Sequence, residues 1–300
     1  MKYGLLGYPL GHSISPYIHR RFFELCGVTD CEYNLYEVNP EELALKGSVL
    51  KELSGFNVTI PYKLEIIPYL ARLDESAKRY GSVNCVHFDP VKSEFVGYNT
   101  DGYGFLKSLQ ELGASLEGAK VLLLGCGGTG RMMAIEAAHA GADLTIAINH
   151  TQESERAAAN LSREITAITG KPLSNPAPIG QTGQIQPTRM RITYTDRLTI
   201  VNRYDIVLNA TPCGMFPNVD EIPIVPEIFG KVNYLFDAIY NPNPTKLMLE
   251  AEKRGVQVIG GLSMLIHQAA KSQMIWNGVQ IDDNIIKTIC FDSEHQLQKL

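Results

Sequence analysis

The sequence predicts an α/β protein built in two parts, each with a mostly parallel sheet covered by helices. Three observations predict it. In the N-terminal part, short apolar runs that read as strands alternate with helical segments in the order β-α-β-α-β. Further on, a second series of strands opens with a glycine-rich turn between a strand and a helix of small residues. The length of 300 residues also exceeds what one hydrophobic core usually serves, so two domains are expected.

The first strand is "KYGLLGY", followed by a Gly/Pro/Ser loop and a helix from Pro16, which can occupy a first helical turn without losing a hydrogen bond. That helix carries Ile18, Phe22 and Leu25 on one face and stops at a glycine. Strands "EYNLYEV" and "GFNVTIP" alternate with helical "PEELALKGSVLKEL" and "KLEIIPYLARLDESAKRYG". The second series begins at "AKVLLLGCGGTGRMMAIEAAHAGADLTIAIN", which reads strand, turn, helix, strand; "YDIVLNAT", "YLFDAIY" and "VQVIGG" then read as buried parallel strands. Between them, Gly170 to Thr188 is rich in Pro, Gly, Gln and Thr and reads as a surface excursion. A helix with a broad apolar stripe, "LSMLIHQAAKSQMIWNG", lies near the end.

Composition narrows the function classes. A formal charge of -5 gives no basic footprint for nucleic acid. No apolar run approaches the roughly 20 residues of a membrane helix, and Gly and Pro break the N-terminus before a signal sequence could form. The six cysteines form no CxxC pair, which suits reduced thiols in a cytoplasmic protein and argues against a zinc site. Cys126 and Cys213 read as small buried fillers rather than reactive thiols.

Gly125, Gly127 and Gly130 form G-x-G-x-x-G directly after a strand and directly before a helix, the context a Rossmann-like dinucleotide site requires. The first glycine permits the tight turn, the second admits a pyrophosphate to the backbone, and the third lets helix and strand pack closely. An acidic residue at the end of the second strand would accept from the ribose of NAD; Asn149, His150 and Thr151 stand there instead. NADP is therefore the expected cofactor, with NAD possible.

Polar residues gather at the strand ends of the N-terminal part: Ser13 and Ser15, Asn57, Thr59 and Lys63, and Asn84. Open α/β sheets bind ligands there. Each has a plain alternative, since Ser15 could cap its helix, Asn57 could be a turn residue, and lysine is by default a solvated charge. Asp101 in "GYNTDGYGF" could equally be an exposed turn.

Taken in order, "GYPLGHSISP", "NVTIPYK", "GSVN", "GYNTDGYGF", "GCGGTGR", "NATPCGM" and "GLSMLIHQAA" resemble the shikimate dehydrogenase family across almost the whole chain. The resemblance implies a substrate-binding and catalytic domain at 1–103 completed by 262–300, and an NADP-binding domain at 104–261. It implies reversible NADPH-dependent reduction of 3-dehydroshikimate to shikimate. It places the catalytic pair on Lys63 and Asp101, and substrate contacts on Ser13, Ser15, Asn57, Thr59, Asn84, Tyr240 and Gln268. Cofactor contacts fall on Gly125, Gly127, Gly128, Thr129, Gly130, Asn149, His150, Thr151, Thr211 and Gly261. The family usually carries arginine where His150 stands, so a bidentate grip on the 2′-phosphate is lost. A quinate/shikimate dehydrogenase using NAD would share every motif, and a non-catalytic ligand-binding regulator would be expected to lack Lys63 or Asp101. The expected assembly is a monomer or homodimer, with small-molecule partners only.

Overall fold

The computed structural model describes residues 1–11, 13–42, 50–170, 190–199 and 202–298. The chain divides into two compact units, Met1–Gly104 with Leu265–Leu300, and Phe105–Met264. The chain passes from one unit to the other within two continuous helices, Asp101–Leu112 and Gly261–Asn277.

The first unit holds a six-stranded sheet in the order β2-β1-β3-β5-β6-β4. Its strands are β1 (Lys2–Gly7), β2 (Glu32–Glu37), β3 (Gly55–Val58), β4 (Arg72–Leu73), β5 (Cys85–Asp89) and β6 (Glu94–Tyr98). β1 pairs in parallel with β2 and β3, and β4 with β6, whereas β5 runs antiparallel to both β3 and β6. The β5–β6 hairpin was not expected from the sequence. The Asp89 carboxylate closes its turn by accepting from the backbone N–H groups of Val91 and Lys92, at 3.0 and 3.2 Å.

One face of this sheet packs Leu6, Leu53, Phe56, Val58, Tyr62 and Val86 together; the other packs Tyr3, Leu5, Phe23, Tyr33 and Trp276. Trp276 locks helix Gly261–Asn277 onto the sheet by donating to the Val86 carbonyl at 2.9 Å. Gly55 is required under it, because a Cβ there would lie 2.5 Å from the indole nitrogen.

The helix expected across "KLEIIPYLARLDESAKRYG" is broken into helix Tyr62–Glu65, a 3-10 turn Ile67–Tyr69, strand β4 and helix Glu75–Tyr80. Pro68 cannot donate to a continuing helix, and β4 instead pairs with the sheet edge. Residues 43–49 of the helix expected at 40–53, and the Pro/Gly/Gln-rich stretch from 171 to 188, lie outside the described residues.

The second unit is a parallel six-stranded sheet in the order β12-β11-β10-β7-β8-β9. Its strands are β7 (Lys120–Leu124), β8 (Asp143–Ile148), β9 (Met190–Tyr194), β10 (Ile206–Asn209), β11 (Tyr234–Asp237) and β12 (Gln257–Gly260). Renumbered from β7, this is the doubly wound order whose switch point falls between β7 and β10. β7 is buried from Val121 to Leu124, as a strand covered by helices on both faces must be. β9 and the helices Gln152–Thr169 and Asp283–Leu297 add elements that the apolar pattern had not singled out. Among the described residues no helix is long and apolar enough to cross a membrane, and no three His, Cys, Asp or Glu side chains converge as a metal site.

Candidate active site

In the first unit, the ends of β3, β5 and β6 meet. The antiparallel register sets Asn57 opposite Cys85 and Cys85 opposite Tyr98, so residues distant in sequence become neighbours. Lys63 and Asp101 form an ion pair, with Lys63 Nζ 2.6 Å from Asp101 Oδ2 and only partial solvent exposure. Asp101 is no exposed turn. It opens helix Asp101–Leu112, its N–H bonded to Asn99 Oδ1 at 3.0 Å, while Asn99 in turn donates to the Ser82 carbonyl at 3.0 Å. Gly102 follows because Tyr80 leaves no room: a Cβ there would stand 1.9 Å from the phenol oxygen. The turn residues of "NTDG" are thus a device that aims one carboxylate.

Asn84 is the hub of this cluster and is 3% exposed. Its amide nitrogen lies 2.7 Å from Asp101 Oδ1, and 3.1 Å from both Thr100 Oγ1 and Gln268 Oε1. Its carbonyl oxygen accepts from the Thr100 N–H at 2.7 Å. Asn57 supports it from below by donating to the Asn84 backbone carbonyl at 3.2 Å and to Ser272 Oγ at 3.0 Å, and by accepting from the Tyr33 phenol at 2.9 Å. Tyr33 and Ser272 were missed in the sequence. A buried phenol and a helix-face serine carry no motif; strand register brings the first to Asn57, and the docking of helix Gly261–Asn277 on the sheet brings the second.

Ser13 and Ser15 lie half-buried on one turn, the Ser15 N–H donating to Ser13 Oγ at 3.3 Å. Ser15 does not cap its helix. The cap position is Ile14, with no side-chain bond, which leaves the serine hydroxyl for other use. Thr59 is fixed through its backbone, donating to the Leu6 carbonyl at 2.8 Å. Lys63, Asp101, Asn84, Asn57 and Gln268 are therefore joined by one network in this unit; Tyr240 belongs to the second unit, just beyond β11, where partial burial raises its phenol pKa.

In the second unit, Gly125 follows β7 at φ +85°, in the left-handed region that glycine enters freely. Gly130 lies against it: a Cβ there would meet the Gly125 carbonyl oxygen at 2.4 Å. Gly127 and Gly128, by contrast, face open space, with nothing within 4 Å of a built Cβ. Helix Gly128–His139 begins there, so unpaired N–H groups and the positive helix end face that space. Such a cradle fits the pyrophosphate of a dinucleotide. Burial raises the pKa of the Cys126 and Cys213 thiols, which are therefore poor nucleophiles.

The switch point is braced from beneath. Thr211 donates through its N–H and Oγ1 to Asn209 Oδ1 at 3.1 and 2.7 Å, and Asn209 donates to buried Asp237 at 2.9 Å. Asp237 also accepts from Thr245 Oγ1 at 2.7 Å, and desolvation raises its pKa despite these bonds. Gly261 packs so closely on Ala238 that a Cβ would lie 2.1 Å from the carbonyl oxygen. At the end of β8, Thr151 caps helix Gln152–Thr169 by accepting from the Ser154 N–H at 3.2 Å, and donates to Asn149 Oδ1 at 3.1 Å. His150 turns toward Asp196, beyond β9.

A doubly wound unit with a glycine cradle, joined to a unit carrying a lysine–aspartate pair, defines a dinucleotide-dependent oxidoreductase. Comparison with known proteins narrows the class. Residues 5–86 match the model of the shikimate dehydrogenase substrate binding domain. A shikimate dehydrogenase (NADP(+)) of Moorella thermoacetica is 37% identical over 291 residues, covering 94% of this chain and 91% of that protein. A crystal structure of a shikimate dehydrogenase in complex with NADP+ superposes with TM-score 0.81 at 33% identity, covering 97% and 95% of the two chains. One from Listeria monocytogenes, in complex with shikimate and NAD, gives 0.80 at 28% identity, covering 96% and 95%. The chain belongs to the shikimate dehydrogenase family.

Proposed function

We infer that this protein is an NADP-dependent shikimate dehydrogenase, reversibly reducing 3-dehydroshikimate to shikimate on the route to chorismate and the aromatic amino acids. The observation that carries the reading is the 2.6 Å pair of Lys63 and Asp101, a charged acid–base couple in a chain of this family. In this reading the first unit binds substrate and the second binds the nucleotide.

When bound, NADPH supplies the hydride. Reduction leaves negative charge on the former carbonyl oxygen, so a cationic donor must meet it. Lys63 is that donor, giving a proton or a charged hydrogen bond to the oxygen as it forms. Asp101 keeps a negative charge beside the ammonium and accepts from the substrate hydroxyl. Asn84 fixes the Asp101 carboxylate, and its neighbour Gln268, with Thr59 and Asn57, orients the ring hydroxyls. Ser13, Ser15 and Tyr240 are assigned to the substrate carboxylate. Buried polar groups left without a partner make such a site reject analogues that lack a hydroxyl.

Gly125, Gly127, Gly128, Thr129 and Gly130 are assigned to the pyrophosphate, Asn149, His150 and Thr151 to the adenosine end, and Thr211 and Gly261 complete the set. The free thiols among the described residues suit a cytoplasmic enzyme. Initial rates with shikimate and quinate, each against NADP and NAD, test the assignment. Shikimate with NADP should have the highest kcat/KM; faster turnover of quinate with NAD would replace it with the quinate reading.

A further inference from the structure

The dinucleotide reading leaves open which groups distinguish a 2′-phosphate from a 2′-hydroxyl. In a sheet of this order the adenosine ribose lies beyond the end of the second strand, here β8. β9 is its neighbour and pairs Tyr194 with Ile148, so the residues after Tyr194 stand beside those after Ile148. The His150 ring stacks on Tyr194, with centroids 3.8 Å apart and planes at 15°. Its Nε2 is 3.1 Å from both carboxylate oxygens of Asp196. An ionised carboxylate only accepts, so Nε2 carries a proton. The Arg197 guanidinium carbon lies 5.0 Å from the centroid of the same Tyr194 ring, whose phenol donates to Glu155 at 2.9 Å.

We propose that Asp196 and Arg197, in the 3-10 turn Thr195–Arg197 that follows the strand next to the expected one, set the choice between NADP and NAD. Arg197 is the cation for the 2′-phosphate: its planar fork can bond two phosphate oxygens, and its guanidinium is steadied over the face of the Tyr194 ring. Asp196 opposes it. Its carboxylate occupies the N–H that His150 would offer a phosphate, and it meets an incoming dianion with like charge. Toward a bare 2′-hydroxyl the same carboxylate is an acceptor. One strand end thus holds a group favouring each nucleotide, and discrimination between them is weaker than a lone arginine would give.

The proposal rests on the dinucleotide reading above, and a binding measurement separates the two. The whole protein, with Arg197→Ala and Asp196→Asn variants, is titrated calorimetrically with 2′,5′-ADP, which carries the 2′-phosphate, and with 5′-ADP, which lacks it. Both side chains are exposed, so neither change should disturb folding. Arg197→Ala should weaken 2′,5′-ADP by about 10-fold or more, and Asp196→Asn should tighten it several-fold, with 5′-ADP within about 2-fold of wild type in Arg197→Ala. Wild-type affinity of Arg197→Ala for 2′,5′-ADP, equal loss for both nucleotides, or no gain in Asp196→Asn would overturn it. Shikimate oxidation by the wild type is followed in parallel. Its absence with both NADP and NAD sinks the dehydrogenase reading, whereas oxidation with unaltered nucleotide binding sinks only this proposal.

Discussion

The Lys63 ammonium lies 2.6 Å from Asp101 Oδ2, while the other oxygen of that carboxylate is held at 2.7 Å by the Asn84 amide. The pair is therefore aimed as well as charged. An interaction that strengthens as charge develops on the reacting oxygen acts on turnover more than on binding. Lys63→Ala should lower kcat by about 10²- to 10⁴-fold and change shikimate KM far less. Steady-state kinetics on the folded variant checks this, and near-normal kcat would remove the lysine from the chemistry.

Asp101→Asn preserves shape and can still accept from Lys63, but it removes the negative charge. If the carboxylate shares the proton work, kcat should fall at least ~100-fold and the pH–rate profile should change form. An unchanged profile would leave Asp101 as a helix-opening residue only.

Much of this site was legible because its residues sit at strand ends or in turns with a distinctive composition. The glycines of 125–130 announced themselves by backbone demands: a left-handed φ at Gly125 and a backbone contact at Gly130. Asp101 was legible only through the order of the surrounding motifs, since Asn-Thr-Asp-Gly alone describes any turn. What register creates was hidden. Tyr33 reaches Asn57 only because β2, β1 and β3 align as they do, and Ser272 reaches the same amide only because helix Gly261–Asn277 docks on that sheet. The antiparallel β5–β6 hairpin escaped because no run in Cys85–Tyr98 is assigned to a strand from the sequence, and its pairing depends on a turn closed at Asp89. Arg197 and Asp196 follow a short strand whose place beside β8 no local pattern discloses.

Gly130 and Gly128 separate the structural from the ligand-binding demands of the glycine turn. A methyl group at Gly130 would collide with the Gly125 carbonyl, which is backbone and cannot rotate away. Gly130→Ala should therefore cost about 1–3 kcal/mol and lower Tm. Gly128→Ala enters open space and should melt near wild type, yet weaken dinucleotide binding where the pyrophosphate would lie. Thermal unfolding and nucleotide titration of the two variants check the contrast; equal Tm losses would contradict it.

His19 links folding to pH. It is 2% exposed, stacked on Tyr33 with ring centroids 4.1 Å apart, and its Nδ1 is 2.9 Å from Gln273 Nε2, an amide that can only donate. Burial, partly offset by a hydrogen bond with Asn57, lowers its pKa to about 3. The unfolded chain protonates this imidazole near pH 6.5, its reference value. Stability from the neutral ring is thus fully present above that pH, and is lost as the pH falls toward 3, because only the unfolded state takes up the proton. The loss should approach ~1.4 kcal/mol per pH unit at most. Urea unfolding between about pH 7 and pH 4.5 should show a steeper decline for wild type than for His19→Gln, which has no proton to gain. Should the glutamine variant fail to fold, NMR titration of His19 in the wild type still decides the matter: an imidazole that titrates near pH 6 in the folded protein would refute the linkage.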